Sequence, residues 1–367
     1  MKILEITFYL AAGGGERLMV DLSNELAKTN EVVVLTLKND KIEPDKRQFY
    51  KSELSPQIVY KNLGLEKGLT LKMLWQVYRA IKNENPDIVH LHVHGVPIYC
   101  ILAIILMKKK VKFFQTIHSD IYNGYNNRFY RFLIKTFGYS GQMGFIALSE
   151  KNYKDLIKEY PKVKGTCIVN GRAPITPTSK FSEVKIEMQS YKKDNNSMLF
   201  IHVARCNPIK NQQLLIKSFN RLIVDGYNAE LVIIGDLFDS ELGISLKKQA
   251  CDRVHFVGPR KNISDYMLNA DVFCLSSSFE GMPITMLEAS LAGVPIVSTP
   301  VCGAIDLVKD GMNGIKSKEY TEDSYYDALV YSLKHYEVLR NNSQQQKDRS
   351  PYTIKICAEK YIEFFKK

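Results

Sequence analysis

Short apolar runs alternate with longer helical patterns, and the alternation happens twice along the chain. In the front half the runs Ile3–Leu10, Glu31–Leu37, Asp87–Val93, Lys112–Ile117, Gly144–Leu148 and Cys167–Val169 read as strands. Between the first two, Arg17–Lys28 carries Leu18, Val20, Leu22 and Leu26 at helical spacing. The pattern restarts with strands at Met198–Val203, Glu230–Ile234, Arg253–Val257, Asp271–Leu275 and Pro295–Ser298. Helices are expected at Leu214–Val224, Ile263–Leu268, Pro283–Ala292 and Tyr325–His335. Strand–helix alternation demands parallel sheets, because a parallel pair needs a long crossover that a helix fills. The chain's 367 residues suit two such domains better than one. Residues 174–196 are polar, with prolines early and no clear period, so 176–196 reads as a linker. The expected layout is a basic first domain over 1–175, a second over 197–350, and a closing helical segment over 351–367. Residues 341–350, NNSQQQKDRS, read as a second polar break. The fold class is α/β, with two doubly wound, Rossmann-like sheets whose strand ends would face a cleft.

Composition narrows the function. Apolar residues at 45% and charged residues at 24% exclude a disordered or fibrous chain. The net charge of +11 lies wholly in residues 1–180, which hold 27 Lys/Arg against 16 Asp/Glu. Such a field attracts phosphates or anionic surfaces. Seven scattered cysteines without close pairs argue against a disulfide scaffold or a Cys-based zinc site, and fit a cytoplasmic protein. Glu5 interrupts the first apolar run, so it reads as a buried strand and not a secretory leader. The Ile98–Met107 run is too short to cross a bilayer. No nucleic-acid-binding module is present in the sequence.

The densest chemistry lies in SSSFEGMPITMLEASLAG, residues 276–293. A strand ends, the chain turns at Gly281, and a helix begins with Pro283 at its first position and stops at Gly293. Glu280 sits in the turn and Glu288 in the helix. Ionised carboxylates accept hydrogen bonds from sugar or ribose hydroxyls. The amides of Met282, Ile284 and Thr285 at the helix start suit a phosphate. Read from spacing alone, the same two acids are equally a loop residue and a solvated helix charge.

This segment, followed by Gly293-x-Pro295-x-Val297, resembles the Glu-x7-Glu signature of retaining family 4 glycosyltransferases, which have the two-domain GT-B fold. The resemblance covers nearly the whole chain and is strongest over 200–315. It implies that Glu280 contacts the donor sugar and Glu288 the ribose, with Gly281, Met282, Pro283 and Ile284 lining the donor site. It further implies that Arg205 and Lys210, in the family's Arg-x4-Lys arrangement, grip the donor diphosphate; Ala204 replaces the usual glycine before Arg205. Arg260, after Val257-Gly258-Pro259, is expected beside the base. His118, at the end of the strand KFFQTIHSD, is implied at the reaction centre, with Asp120 near it; Ser119 intervenes where the family has the acid directly. Gly14, Gly15 and Glu16 occupy the family's glycine loop on the acceptor side; alone, they also read as a tight turn and a helix-start charge. The closing helix with Tyr361 resembles the one that crosses back to the first domain.

His90, His92 and His94 share one strand face, the outer pair about 13 Å apart if extended. Two neighbours could share an ion, but a third ligand would have to come from elsewhere. No Asp-x-Asp triplet occurs, and the expectation is that neither metal nor cofactor is used. The expected activity is hexosyl transfer from a nucleotide diphosphate sugar to a sugar or lipid-linked hydroxyl acceptor, with retention. The alternatives are a sugar-nucleotide epimerase of the same architecture and a non-catalytic binder. Arg128, Arg131 and Lys135, beside Phe129, Phe132, Leu133 and Phe137 and near Lys108–Lys110, read as a basic and aromatic face. That face would suit peripheral contact with an anionic membrane.

Overall fold

The computed structural model describes residues 1–107, 110–118, 121–124, 128–347 and 350–367. Asp120, Lys108 and Lys109 lie outside the described residues. The chain forms two compact units, Met1–Ala173 with Tyr352–Lys367, and Pro174–Pro351.

The first unit is a seven-stranded parallel sheet. Its strands are β1 (Lys2–Thr7), β2 (Glu31–Lys38), β3 (Val59–Leu65), β4 (Ile88–Leu91), β5 (Lys112–Ile117), β6 (Met143–Ala147) and β7 (Gly165–Cys167). They lie in the order β3-β2-β1-β4-β5-β6-β7. Strand order reverses between β1 and β4, so the loops leaving these two strands diverge and leave a crevice at their carboxyl ends. Right-handed crossovers put the helix Gly14–Leu26 on one face and the helices Leu71–Glu84 and Val96–Met107 on the other. The helix Ile354–Lys366 packs beside Gly14–Leu26, burying Tyr361 and Phe365 completely. The central strands are buried on both faces, as β1 with Ile3, Leu4 and Ile6 shows.

The second unit has six parallel strands in the order β10-β9-β8-β11-β12-β13. They are β8 (Met198–Val203), β9 (Ala229–Ile234), β10 (Val254–Gly258), β11 (Val272–Leu275), β12 (Ile296–Ser298) and β13 (Gly314–Lys316). Here the reversal falls between β8 and β11.

Three expectations need correction. The presumed linker contains the helix Phe181–Ser190, whose Val184 and Met188 are buried one turn apart. It packs on Ile263–Leu268 and belongs to the second unit. Residues 341–347 are no break either; they continue the helix Tyr336–Lys347. Its polar side chains are used: Gln344 Nε2 donates to the carbonyls of Ala292 (3.4 Å) and Gly293 (3.1 Å), and Arg340 to that of Gly293 (3.2 Å). The aromatic face also splits. The Ile134–Gly138 segment winds with the wider π pitch, which shifts the phase of the helix. Leu133 and Phe137 pack inward while Phe129 and Phe132 stay exposed. Arg131 is withdrawn from the basic face into an ion pair with Glu159.

Candidate active site

In the second unit, the loops leaving β8 and β11 meet. After β8 the chain runs through Arg205 to Asn207, whose side chain accepts from Ile209 N (2.9 Å) and starts a single tight turn, Pro208–Lys210. After β11, Ser278 N donates to Ile209 O (2.8 Å) and Ser276 Oγ to Lys210 O (2.9 Å). These bonds staple the two loops together. Their result is a direct ion pair between Lys210 Nζ and Glu280 Oε1, with Ser277 Oγ donating to the same oxygen at 2.9 Å. Both partners are mostly but not wholly covered, at 26% and 15% side-chain exposure, so a ligand can reach them. Arg205 is exposed, and among the described residues its guanidinium has no ion pair or hydrogen bond. Its backbone is fixed by Gln212 Nε2, which donates to Arg205 O at 3.0 Å.

Gly281, Met282, Pro283 and Ile284 are all buried in the turn that leads into the helix Ile284–Ala292. Pro283 stands just before the helix, one position earlier than expected, and Gly293 ends it at φ +68°. The first-turn amides of Ile284 and Thr285 lack intrahelical acceptors by geometry. Glu288 is on this helix and only 6% exposed. Under the turn lies Gly303: a Cβ there would stand 2.8 Å from Gly281 O and from Pro283 Cδ. Gly235, just past β9, presses still more closely on the Ala204 backbone, where a Cβ would stand 2.0 Å from Ala204 O. Neither glycine was found by sequence reasoning, since only tertiary contact gives them a role. Behind the cluster, His202 Nδ1 bonds Cys274 O at 2.9 Å. Burial, with a contribution from Lys210, pushes its imidazole down to about 4.

Arg260 has partners of its own. Its guanidinium donates to Tyr266 OH (2.8 Å) and to Glu187 Oε1 (3.4 Å), tying the helix Phe181–Ser190 to Ile263–Leu268. The structure thus assigns it a packing partner where the base contact was expected.

In the first unit, the residues at the β1/β4 reversal come together. A Cβ on Gly15 would meet His118 Nδ1 at 3.2 Å and Val93 Cγ1 at 3.3 Å, so the glycine turn lies against His118. Gly14 opens the helix at that turn. Glu16 folds back over Gly13, as a third-position glutamate does when it covers a helix start. Arg17 is buried against Asp21 and Glu53. His118 Nε2 is buried without a hydrogen-bond partner among the described residues. Burial, then the neighbouring His92 and His90, hold its imidazole well below the ordinary value. Burial thus favours its neutral form, in which one ring nitrogen donates a hydrogen bond and the other accepts. Val93 carries φ +54°, a costly conformation for a β-branched residue and a mark of local strain beside His92. Burial would raise the Glu5 carboxyl, but His90 and His92 hold it down at about 2. Burial and His90 push His92 down to about 4, against the pull of Glu5.

Comparison with known proteins fits this arrangement. The family "Glycosyltransferase Family 4" matches residues 12–172, and "Glycosyl transferases group 1" matches residues 183–349. The chain is 24% identical to the N-acetyl-alpha-D-glucosaminyl L-malate synthase of Bacillus anthracis, over 95% of this chain and 92% of that protein. It is 27% identical to the UDP-Gal:alpha-D-GlcNAc-diphosphoundecaprenol alpha-1,3-galactosyltransferase of Escherichia coli, over 74% and 72% respectively. Anabaena HepE, solved with UDP and glucose, shares the fold at a TM-score of 0.79 and 18% identity, covering 100% of this chain and 99% of that one.

Proposed function

Given a glycosyltransferase of the group 1 and family 4 type, built on the GT-B fold, we propose that it moves a sugar from a nucleoside diphosphate donor to a hydroxyl of a sugar or lipid-linked acceptor, with retention. The observation that supports this most is the Lys210–Glu280 pair, set at the carboxyl ends of β8 and β11, with the exposed Arg205 in the same loop after β8. Departure of a nucleoside diphosphate raises its charge from about −2 toward −3, and two cations with a helix amino terminus offset most of that. Lys210 and Arg205 take the diphosphate, and the amides of Ile284 and Thr285 add donors. The Glu280 carboxylate, once the diphosphate draws off the ammonium, accepts from the sugar hydroxyls. Glu288 accepts from the ribose. In the first unit, neutral His118 with Gly14 and Gly15 serves the acceptor side. The acceptor class follows the lipid-linked substrate named for the Escherichia coli relative.

The test is nucleoside diphosphate release from a panel of donors, with and without undecaprenyl-diphosphate sugars, followed by NMR of the product's anomeric proton. Acceptor-dependent release with an unchanged anomer is expected. Conversion of the sugar nucleotide without acceptor would instead make the protein an epimerase, and binding without turnover a non-catalytic binder.

Contact with an anionic membrane is the second part of the proposal. Among the described residues no helix is long and apolar enough to cross a bilayer. Phe129 and Phe132, however, are 47% and 62% exposed one turn apart, flanked by exposed Arg128 and Lys135. Aromatic rings with basic neighbours suit an acidic headgroup layer. Flotation with phosphatidylglycerol vesicles should carry the protein upward and should fail for Phe129→Ser/Phe132→Ser. Equal flotation of both proteins, or of neither, refutes the assignment.

A further inference from the structure

The sequence leaves His90 and His92 as a ligand pair short of a partner. A neighbouring strand provides one. Glu5 on β1 lies opposite His90 on β4 in the parallel register. Its Oε2 is 2.6 Å from His92 Nε2 and 2.8 Å from His90 Nδ1. All three residues are fully buried, and their ligand atoms fall within 4.8 Å of one another. His94 is engaged elsewhere, stacked on Tyr130 at 4.0 Å between ring centroids.

We propose that Glu5, His90 and His92 bind a divalent transition-metal ion of the zinc class, which holds the first sheet and the helix Ile354–Lys366 together. Hydrogen bonding satisfies only part of the cluster: His92 Nε2 bonds Glu5 Oε2 at 2.6 Å. Among the described residues Glu5 Oε1, His90 Nδ1 and His92 Nδ1 are buried without a hydrogen-bond partner, His90 Nδ1 although it lies 2.8 Å from the carboxylate. The charge balance agrees. Among the described residues the ionic partners of Glu5 are these two imidazoles alone, with no lysine or arginine, and a buried carboxylate calls for a cation. The outer contacts agree as well. His90 Nε2 bonds Thr116 Oγ1 at 2.8 Å, and Thr116 Oγ1 bonds Tyr361 OH at 3.0 Å. Such a bond fixes the tautomer and leaves the other ring nitrogen free for a metal, and here it runs on to the closing helix.

A tetrahedral ion with bonds of about 2.0–2.1 Å spaces its ligand atoms about 3.3 Å apart. Relative to the present 2.6 and 2.8 Å, the carboxylate must retreat by roughly half an ångström, a side-chain rotation that leaves both strands in place. Two imidazoles and one carboxylate select zinc-like ions over magnesium or calcium. Water would complete the coordination. The site is separate from the donor chemistry proposed above and does not depend on it.

Untagged protein produced with zinc supplementation is desalted and its metal content measured by mass spectrometry. One zinc-class ion per chain is expected, falling below about 0.2 in Glu5→Gln and in His92→Gln and retained in His94→Gln. Should the first two variants fail to fold, wild-type protein decides the matter. Stripping with a chelator should lower the melting temperature by about 8 °C or more, with stoichiometric zinc but not magnesium restoring it. Hydrogen exchange in 354–366 should quicken in the stripped protein. Metal-free wild-type protein whose melting ignores zinc and chelator overturns the proposal, as does metal retained in Glu5→Gln or His92→Gln.

Discussion

Gly303→Ala tests whether the Glu280 turn works as a positioned device. The added Cβ would stand 2.8 Å from Gly281 O, 2.8 Å from Pro283 Cδ and 2.9 Å from Met282 Cα, where ordinary contact begins at 3.4 Å. These are backbone and ring atoms that cannot rotate aside, so either the 280–283 turn or the helix Cys302–Leu307 must move by roughly 0.6 Å. Overpacking of this kind costs about 1–3 kcal/mol, or about 2–12 °C in a unit of this size. Displacing a reacting group by about 1 Å costs on the order of a hundredfold in rate, so a loss between tenfold and a hundredfold, roughly, is expected. A matched control separates the two effects. Gly226 has φ +88° with nothing within 4 Å of its added Cβ, and it precedes the amino end of β9, opposite the site. Gly226→Ala should cost about 1–2 kcal/mol through backbone strain alone. Nucleoside diphosphate release and thermal melting are measured side by side on both variants. If Gly303→Ala keeps wild-type turnover, or if Gly226→Ala loses as much, the turn is not the sensitive element.

Lys210→Ala should lower turnover about 10²–10³-fold while shifting melting by only a few degrees, because a partly exposed pair contributes about 1 kcal/mol or less; unchanged turnover removes Lys210 from the site. Gln344→Ala strips a cap from the carbonyls that end the Glu288 helix and should cost about 1 kcal/mol in urea unfolding; an unchanged midpoint shows the cap to be idle. Asp265 is one acid-sensitive group of the second unit. Burial works to raise its carboxyl, but the Thr178 hydroxyl and amide and the Asn262 amide hold it below the ordinary aspartate value. Its contribution is therefore complete above that ordinary value and lost as pH falls through the lowered one. The stability gap between wild type and Thr178→Val should be constant near neutrality and shrink from about pH 4 downward; a gap that widens in acid refutes this.

What the sequence disclosed follows from where constraint is local. Strands such as Lys112–Ile117 and Met198–Val203 are buried between helix layers, so their apolar runs end where the strands end. Val59–Leu65 went unread because, at the sheet edge, it mixes Lys61, Asn62 and Gly64 with apolar residues. Gly314–Lys316, another edge strand, is too short to show a period. The helix over 336–347 was hidden by polar residues, of which Gln344 and Arg340 bind carbonyls instead of burying apolar surface. At the site, Lys210 and Glu280 were visible because two local patterns carry them. Gly235 and Gly303 act through close approach to distant backbone, and Ser277 through a bond to the Glu280 carboxylate that only the folded turn creates. Glu5 was legible only as an interruption in a strand, since its partners stand 85 residues and more away. The pairing of Arg260 with Glu187 was not legible, because Glu187 lies in the supposed linker.

The first sheet is completed by residues made after all of Pro174–Pro351. Until Ile354–Lys366 leaves the ribosome, the face that will hold Tyr361 and Phe365 has no cover, and the Arg172–Thr353 bridge has no second strand. The half of the protein that is translated first is therefore finished last, and a nascent chain stalled anywhere in the second unit would display an open, sticky surface to chaperones.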